Sequence, residues 1–228
     1  MICRVEITPF RIERCRSESN YEAETLVIIK SREGIDIGKN LGLPEANADE
    51  YYGEILRNAS PEDLEKQHEL KEYEEFCLVE LMRAIEEFKL AMKPVYAHCQ
   101  FDEERVIFYF TAEKKLEFRK LHRYISQKLN KRVVIKQIGV RDYSKLFGGI
   151  GPCGRNLCCA TFLNELKSIS LRMAREQKLY VSPSKISGIC GKLLCCLNFE
   201  EDFYTDLQNK ESEKIWLDEE EPPSGQPK

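Results

Sequence analysis

Between Tyr73 and Met92 the apolar residues recur at steps of three and four: Tyr73, Phe76, Cys77, Leu81, Ile85, Phe88 and Met92. That spacing predicts one buried face of a long helix. Its start is written just as clearly. Ser60 is a good N-cap, Pro61 suits the first helical position, and Asp63 stands where a carboxylate caps free amides. Pro94 is the expected stop. Cys77 lies on the apolar stripe and is expected to be core packing.

Ahead of this helix the period changes from four to two. Thr25–Lys30 and Ile35–Gly38, joined by Ser31-Arg32-Glu33-Gly34, read as a hairpin, and residues 1–58 together as a small β-rich unit with no evident chemistry. After the helix come Val95–Phe101, a polar turn at Asp102–Glu104, and the aromatic run Arg105–Phe110, a second hairpin. Phe118, Leu121, Ile125 and Leu129 mark a basic amphipathic helix, and Val133–Ile138 returns as a strand. The order β-β-α-β predicts an α+β layer, with helices on one face of a mixed or antiparallel sheet. A further helix is expected over Leu163–Leu179. The expected organisation is residues 1–58, a domain at 59–204 with a cysteine-rich carboxyl-terminal half, and an acidic tail at 205–228. That tail carries Pro222, Pro223 and Pro227, lacks apolar anchors, and is expected to be disordered.

Composition sharpens this picture at two points. Charge is segregated: residues 113–199 hold 18 basic and 5 acidic side chains, whereas residues 1–112 hold 14 and 24, and residues 200–228 hold 3 and 10. A basic block between acidic flanks calls for an acidic partner, nucleic acid, or mutual neutralisation. Lys114, Lys115, Arg119, Lys120, Arg123, Lys128, Lys131 and Arg132, with Phe118 and Tyr124, form a surface able to hold RNA phosphates, although contact with an acidic protein is the favoured reading. The second point is the 10 cysteines. No apolar run reaches bilayer length and the amino terminus lacks a signal-peptide core, so a cytoplasmic location is expected. There, stable disulfides are rare, and clustered cysteines read as ligands or reactive thiols.

Six of the ten stand in a repeat. Gly151-Pro152-Cys153-Gly154-Arg155-Asn156-Leu157-Cys158-Cys159 matches Gly188-Ile189-Cys190-Gly191-Lys192-Leu193-Leu194-Cys195-Cys196 as G-x-C-G-[RK]-x-L-C-C. The glycines allow the chain to curl so that a knuckle cysteine and the pair after it share a site, and Arg155 and Lys192 favour the thiolate. Neighbouring side chains diverge by about 100° in a helix. A simple tetrathiolate would therefore take Cys153 and Cys190 plus one member of each pair. Three readings of the residues compete: structural zinc, though its knuckles carry no vicinal pair; an iron–sulphur cluster, though the ferredoxin run is missing; and buried free thiols or a thiol-exchange site without C-x-x-C. The histidines, His68, His98 and His122, are scattered, and His98 beside Cys99 reads as packing. Gly148-Gly149-Ile150-Gly151 lacks the lysine of a phosphate loop. No Ser-His-Asp or Cys-His constellation is recognisable, which leaves an enzyme acting through a reactive cysteine as the remotest reading.

Several stretches resemble the bacterial YaaT, or RicT, family, defined by the PSP-one carboxyl-terminal domain: Val106–Ala112, Gln137–Asp142, Gly148–Gly154, Met173–Gln177 and Lys185–Leu197. The likeness covers roughly residues 60–200. It implies a non-catalytic regulator that assembles with RicA-like and RicF-like helical proteins in a complex carrying [4Fe-4S] clusters and adjusts messenger-RNA processing by RNase Y. It also implies Cys153, Cys158, Cys159, Cys190, Cys195 and Cys196 as the cluster candidates, and favours iron–sulphur over zinc. An RNA-binding module with a structural metal is the alternative function.

Overall fold

Three consecutive residues, Val27, Ile28 and Ile29, are buried in one strand, and the reason is that both of its faces are covered. Residues 1–42, 51–114, 116–163, 168–179 and 182–207 are described in a computed structural model of the chain, which divides into two compact units, Met1–Gly139 and residues 140 onward. The first unit opens with a closed barrel of β1 (Ile2–Thr8), β2 (Arg11–Arg16), β3 (Leu26–Ser31), β4 (Gly34–Asn40) and β5 (Gly53–Asn58), in the ring order β1-β2-β5-β3-β4. Val27 and Ile29 point inward and meet Cys3, Val5, Cys15 and Ile55. Ile28 and Ile37 point outward and join a second core built by the following helices and strands. The hairpin expected over residues 25–38 is β3–β4, paired from Leu26↔Lys39 to Ser31↔Gly34. Gly38 lies where β4 passes β1; a Cβ there would stand 2.5 Å from Val5 Cγ1, so any larger residue forces the barrel apart.

The long helix is α1 (Pro61–Glu87). Its start follows the sequence: the Ser60 hydroxyl accepts from the Asp63 N–H at 3.3 Å, and the Asp63 carboxylate accepts from the Ser60 N–H at 2.8 Å. Arg57 pairs with the same carboxylate, and with the Ser60 N–H it holds the Asp63 pKa well below the carboxylate range. The end does not follow. Phe88 caps the helix, Lys89 takes a left-handed conformation (φ 51°), and Pro94 lies inside the next strand, paired with Phe110. Phe76, expected to be buried, is 53% exposed and stacks beside Tyr73. The buried seam runs through Leu70, Cys77, Leu81 and Ala84, and Phe76 sits a helical step away from it.

β6 (Lys93–Cys99), β7 (Arg105–Thr111) and β8 (Arg132–Gln137) form a sheet in that order, antiparallel then parallel, with α2 (Arg119–Leu129) as the crossover that a parallel pair needs. All of Val106–Phe110 is buried on the central strand. Leu81, Ala84 and Ile85 of α1 and Leu121 and Ile125 of α2 close this core, and Cys77 and Cys99 are part of it. The chain is thus of α+β composition, with helices and strands both in the first unit. The boundary expected at residue 58 falls inside that unit, between β5 and α1.

The second unit is made of short helices: α3 (Val140–Phe147), α4 (Cys158–Thr161), α5 (Leu171–Glu176), α6 (Pro183–Ile186) and α7 (Cys196–Phe199). Met173, Ala174, Ile186 and Leu197 form its small core, and the Gln177 side-chain amide donates to the Leu197 carbonyl at 2.6 Å. The helix expected over Leu163–Leu179 is corrected to α5 alone among the described residues, because Ser170 is extended (ψ 155°) and Lys178 is left-handed (φ 55°). The acidic tail expected to be disordered lies outside the described residues. No helix among the described residues is long and apolar enough to cross a membrane.

Candidate functional site: a thiol pocket built by two repeats

The sequence repeat is also a backbone repeat. In the first copy the Gly151 N–H donates to the Arg155 carbonyl at 2.8 Å and the Gly154 N–H to the Gly151 carbonyl at 2.9 Å; in the second, Gly188 donates to Lys192 at 2.9 Å and Gly191 to Gly188 at 3.0 Å. The Ile150↔Asn156 bridge corresponds to Ser187↔Leu193. Gly154 and Gly191 take the same left-handed conformation, φ 77° and 73°, which carries the chain round each knuckle. Each knuckle cysteine folds back over its own leading glycine: a Cβ on Gly151 would lie 3.5 Å from Cys153 Sγ, and one on Gly188 3.7 Å from Cys190 Sγ. The equivalence continues past the cysteines. Phe162 N–H returns to the Cys158 carbonyl as Phe199 N–H does to Cys195, and the equivalent rings Phe162 and Phe199 meet edge to face with centroids 5.0 Å apart.

The two copies face one another across a pocket of about 520 Å³, and all six repeat cysteines line it. Segments separated by 37 residues therefore converge, as a shared site demands. Cys153 is exposed, Cys159 is buried, and Cys158, Cys190, Cys195 and Cys196 are half-buried. Burial pushes the Cys159 thiol up, with Cys190 and Cys158 adding to the effect and Arg141 opposing it. Burial likewise raises Cys195 against the pull of Arg141, and raises Cys196 with help from the Glu200 carboxylate. These mutual effects across the repeats are what a crowd of potential thiolates in a partly dry pocket produces.

Arg141 is the residue that the sequence reading missed. Arg155 lines the pocket but is exposed, and Lys192 is exposed, whereas Arg141 projects from α3, donates from Nη2 to the Leu193 carbonyl at 3.2 Å, and has its Nε buried with no hydrogen-bond partner among the described residues. Its place in the Gln137–Asp142 stretch was visible, but no periodicity or motif pointed it at the cysteines.

Six soft thiol donors around one pocket, with an orphaned cationic N–H in the wall, suit in kind a thiolate-bound metal or iron–sulphur group. In arrangement they are not yet gathered: among the described residues no three Cys, His, Asp or Glu side chains stand close enough to hold a metal ion. Any such group would draw the thiols inward from where they stand.

Comparison with known proteins decides the relationship. Residues 53–138 match the PSP1 C-terminal conserved region and residues 168–211 match the third domain of PSP1-like proteins. The chain is 38% identical over 188 residues to the stage 0 sporulation protein YaaT of Bacillus subtilis (strain 168), which covers 80% of this chain and 68% of that protein. The chain belongs to the YaaT family. No solved structure matches it. In this YaaT family member the first matched region spans β5 to β8, and the second begins after the first cysteine repeat and takes in the second.

The first unit holds a second polar cluster, centred on His98. His98 is buried, as packing requires, and is also hydrogen-bonded at both ring nitrogens. Its Nε2 lies 3.0 Å from Asp36 Oδ1 and its Nδ1 3.1 Å from Glu74 Oε1, which also accepts the Cys99 N–H at 2.7 Å. Burial works against a charged ring, yet the two carboxylates outweigh it and carry the His98 pKa up to about 9. Barrel strand β4, helix α1 and strand β6 are tied together at this one side chain.

Proposed function

We propose that this protein is a non-catalytic regulator that binds an iron–sulphur cluster, [4Fe-4S], through the cysteines of the repeat pocket. We further propose that it works by assembling with RicA-like and RicF-like helical proteins to modulate RNase Y-dependent messenger-RNA processing. The observation that supports this is the convergence of six cysteines, two from each vicinal pair and one from each knuckle, on one pocket. Membership of the family of a sporulation protein supports a regulatory role in development. The residues that would hold the cluster are drawn from Cys153, Cys158, Cys159, Cys190, Cys195 and Cys196. The cluster would supply a cross-link between the two repeats that exists only while the metal is bound, so that metal content and local folding are coupled.

Anaerobic reconstitution of the full chain tests this. The expected result is bound iron and sulphide with a broad absorption band at about 400 nm. Cys195→Ser should remove it, because serine keeps the size but is a poor ligand for soft metals. Cys77→Ala, in the core of the first unit, should leave it in place. Loss of iron from the Cys77→Ala protein while it remains folded sinks the assignment.

One observation favours the second reading, an RNA-binding module with a zinc or other structural metal site. An open groove runs along α2, lined by Phe118, Arg119, His122, Arg123, Ser126 and Asn130. RNA affinity that falls steeply with salt and is lost on charge reversal at Lys120 and Arg123 would promote that reading. Weak RNA binding by the isolated chain, with the same reversals disrupting association with acidic protein partners, is the outcome expected.

A further inference from the structure

Helix α1 is apolar on two sides. Its buried seam is Leu70, Cys77, Leu81 and Ala84. Away from that seam stand Phe76, Val79 and Met82, which are 53%, 45% and 48% exposed. With each residue turning the helix by about 100°, Val79 lies roughly 180° from the middle of the seam, and Phe76 and Met82 about 60° to either side of Val79. The three form one row about 9 Å long. None of them belongs to either core of the first unit. A single exposed apolar side chain is ordinary, but a row at steps of three is the pattern that a second helix reads.

Carboxylates border the row. Glu72, Glu75, Glu86 and Glu87 are exposed around it, against Lys71 and Arg83, and Arg83 is already paired with Glu80 at 2.6 Å. The end of the helix is charged against its own dipole. Its last turn holds Glu86 and Glu87 and no basic residue, although the carbonyls there already form the negative end of the helix. Alone, α1 thus carries carboxylates where a helix gains from cations.

We propose that this face of α1 docks a cationic amphipathic helix of a partner protein. The partner's apolar residues pack on Phe76, Val79 and Met82, and its lysines or arginines meet the flanking glutamates and the negative end of α1. The same chemistry argues against the other occupants. Nucleic acid and an anionic membrane surface are repelled by the carboxylates. A second copy of α1 would bring like charge against like. The chain's own basic helix, α2, has Leu121, Ile125 and Leu129 buried in the core and keeps no apolar face to offer. An extended segment would leave backbone groups without partners against an apolar helix surface, whereas a helix satisfies its own backbone. The docking needs no cluster in the repeat pocket, so this inference and the iron–sulphur reading fail separately.

Fluorescence anisotropy of labelled synthetic helices with the full chain, at about 0.15 M salt, is the test. The probe is a peptide of about three heptads with leucine at a and d and lysine at e and g, whose like charges keep it from pairing with itself. Its controls are the same peptide with glutamate for lysine, and a scrambled lysine peptide without an apolar face. The lysine helix should bind, and both controls should bind about tenfold more weakly or worse. Phe76→Gln, Val79→Gln and Met82→Gln combined keep good helix formers in α1. That protein should lose about tenfold or more in affinity, with its circular dichroism spectrum and urea midpoint unchanged. Glu75→Lys with Glu86→Lys should also weaken binding and flatten its dependence on salt. Full affinity in the glutamine variant, equal binding of either control peptide, or no binding of the lysine helix by the wild-type chain overturns the proposal. Self-association of the wild-type chain that the glutamine substitutions abolish would place a second copy on this face and overturn it as well.

Discussion

Replacing His98 by glutamine removes the ring that bridges Asp36 and Glu74, leaving Arg11 paired with Asp36, and should make stability depend less on pH. In the folded chain the ring titrates at about 9, against roughly 6.5 for a free histidine. Roughly 2.5 units at about 1.36 kcal/mol each gives about 3 kcal/mol of stabilisation. Because the folded state prefers the protonated ring, that contribution is complete below about pH 6.5 and disappears as pH rises through 9. The buried thiols confound a simple pH scan. Burial holds Cys15 and Cys99 up to about 12, so they too favour the folded state less as the unfolded thiols ionise above about pH 8.5. The difference between wild type and H98Q cancels them, since both proteins carry the same cysteines. Urea unfolding at pH 6 and at pH 10 gives the two differences directly. The gap should be widest at pH 6 and narrower by about 3 kcal/mol at pH 10. A gap of the same size at both values would refute the claim that a charged His98 ties the barrel to α1 and the sheet.

Three smaller perturbations check other parts of the structure. Ser60→Ala deletes half of the capping box and should cost about 1 kcal/mol in urea unfolding, with the α1 register unchanged. Gly191→Val meets open space, so it should cost only the backbone penalty of its left-handed φ, roughly 1–2 kcal/mol, and Gly154→Val should cost the same if the knuckles are equivalent. Phe76→Ser should change stability by less than about 0.5 kcal/mol, because this exposed ring lies off the buried seam; a loss of core size would return Phe76 to the packed face.

What could be read from the sequence was local. The capping box needs only Ser60 to Asp63, the β3–β4 hairpin needs a single turn, and the cysteine repeat is its own internal control. Features resting on distant partners were invisible. The barrel closes because β5 pairs parallel with β2 and antiparallel with β3, and neither register is encoded near residue 53. His98 takes its meaning from Asp36 and Glu74, 62 and 24 residues away, and Arg141 takes its meaning from a carbonyl 52 residues on. The end of α1 failed for a different reason. Lys89 adopts the left-handed turn normally signalled by glycine, so the nearest visible breaker was Pro94, which the edge strand β6 accommodates.

The division of the ten cysteines follows from the same physics. Metals bind the thiolate, and its abundance falls tenfold for each unit of pKa above the ambient pH. Cys15 and Cys99, raised to about 12, hold roughly five orders of magnitude less thiolate than thiol at pH 7. With Cys3 and Cys77 they lie buried in the two cores of the first unit, where they act as small apolar side chains. The repeat cysteines lie where the chain has little core to offer: five of the six are half-buried or exposed. Cys159 is the exception, buried like a core residue, yet it lines the pocket and shares it with Arg141. Cys99 and Cys15 also feel a cation and a second thiol, Lys131 with Cys77 and Arg11 with Cys3, but they lie inside packed cores. A thiol can exchange its proton for a metal only where a metal can reach it, as at the pocket that Cys159 lines. Counting cysteines could not have separated these two environments, whereas the repeat, by placing equivalent thiols opposite one another, does.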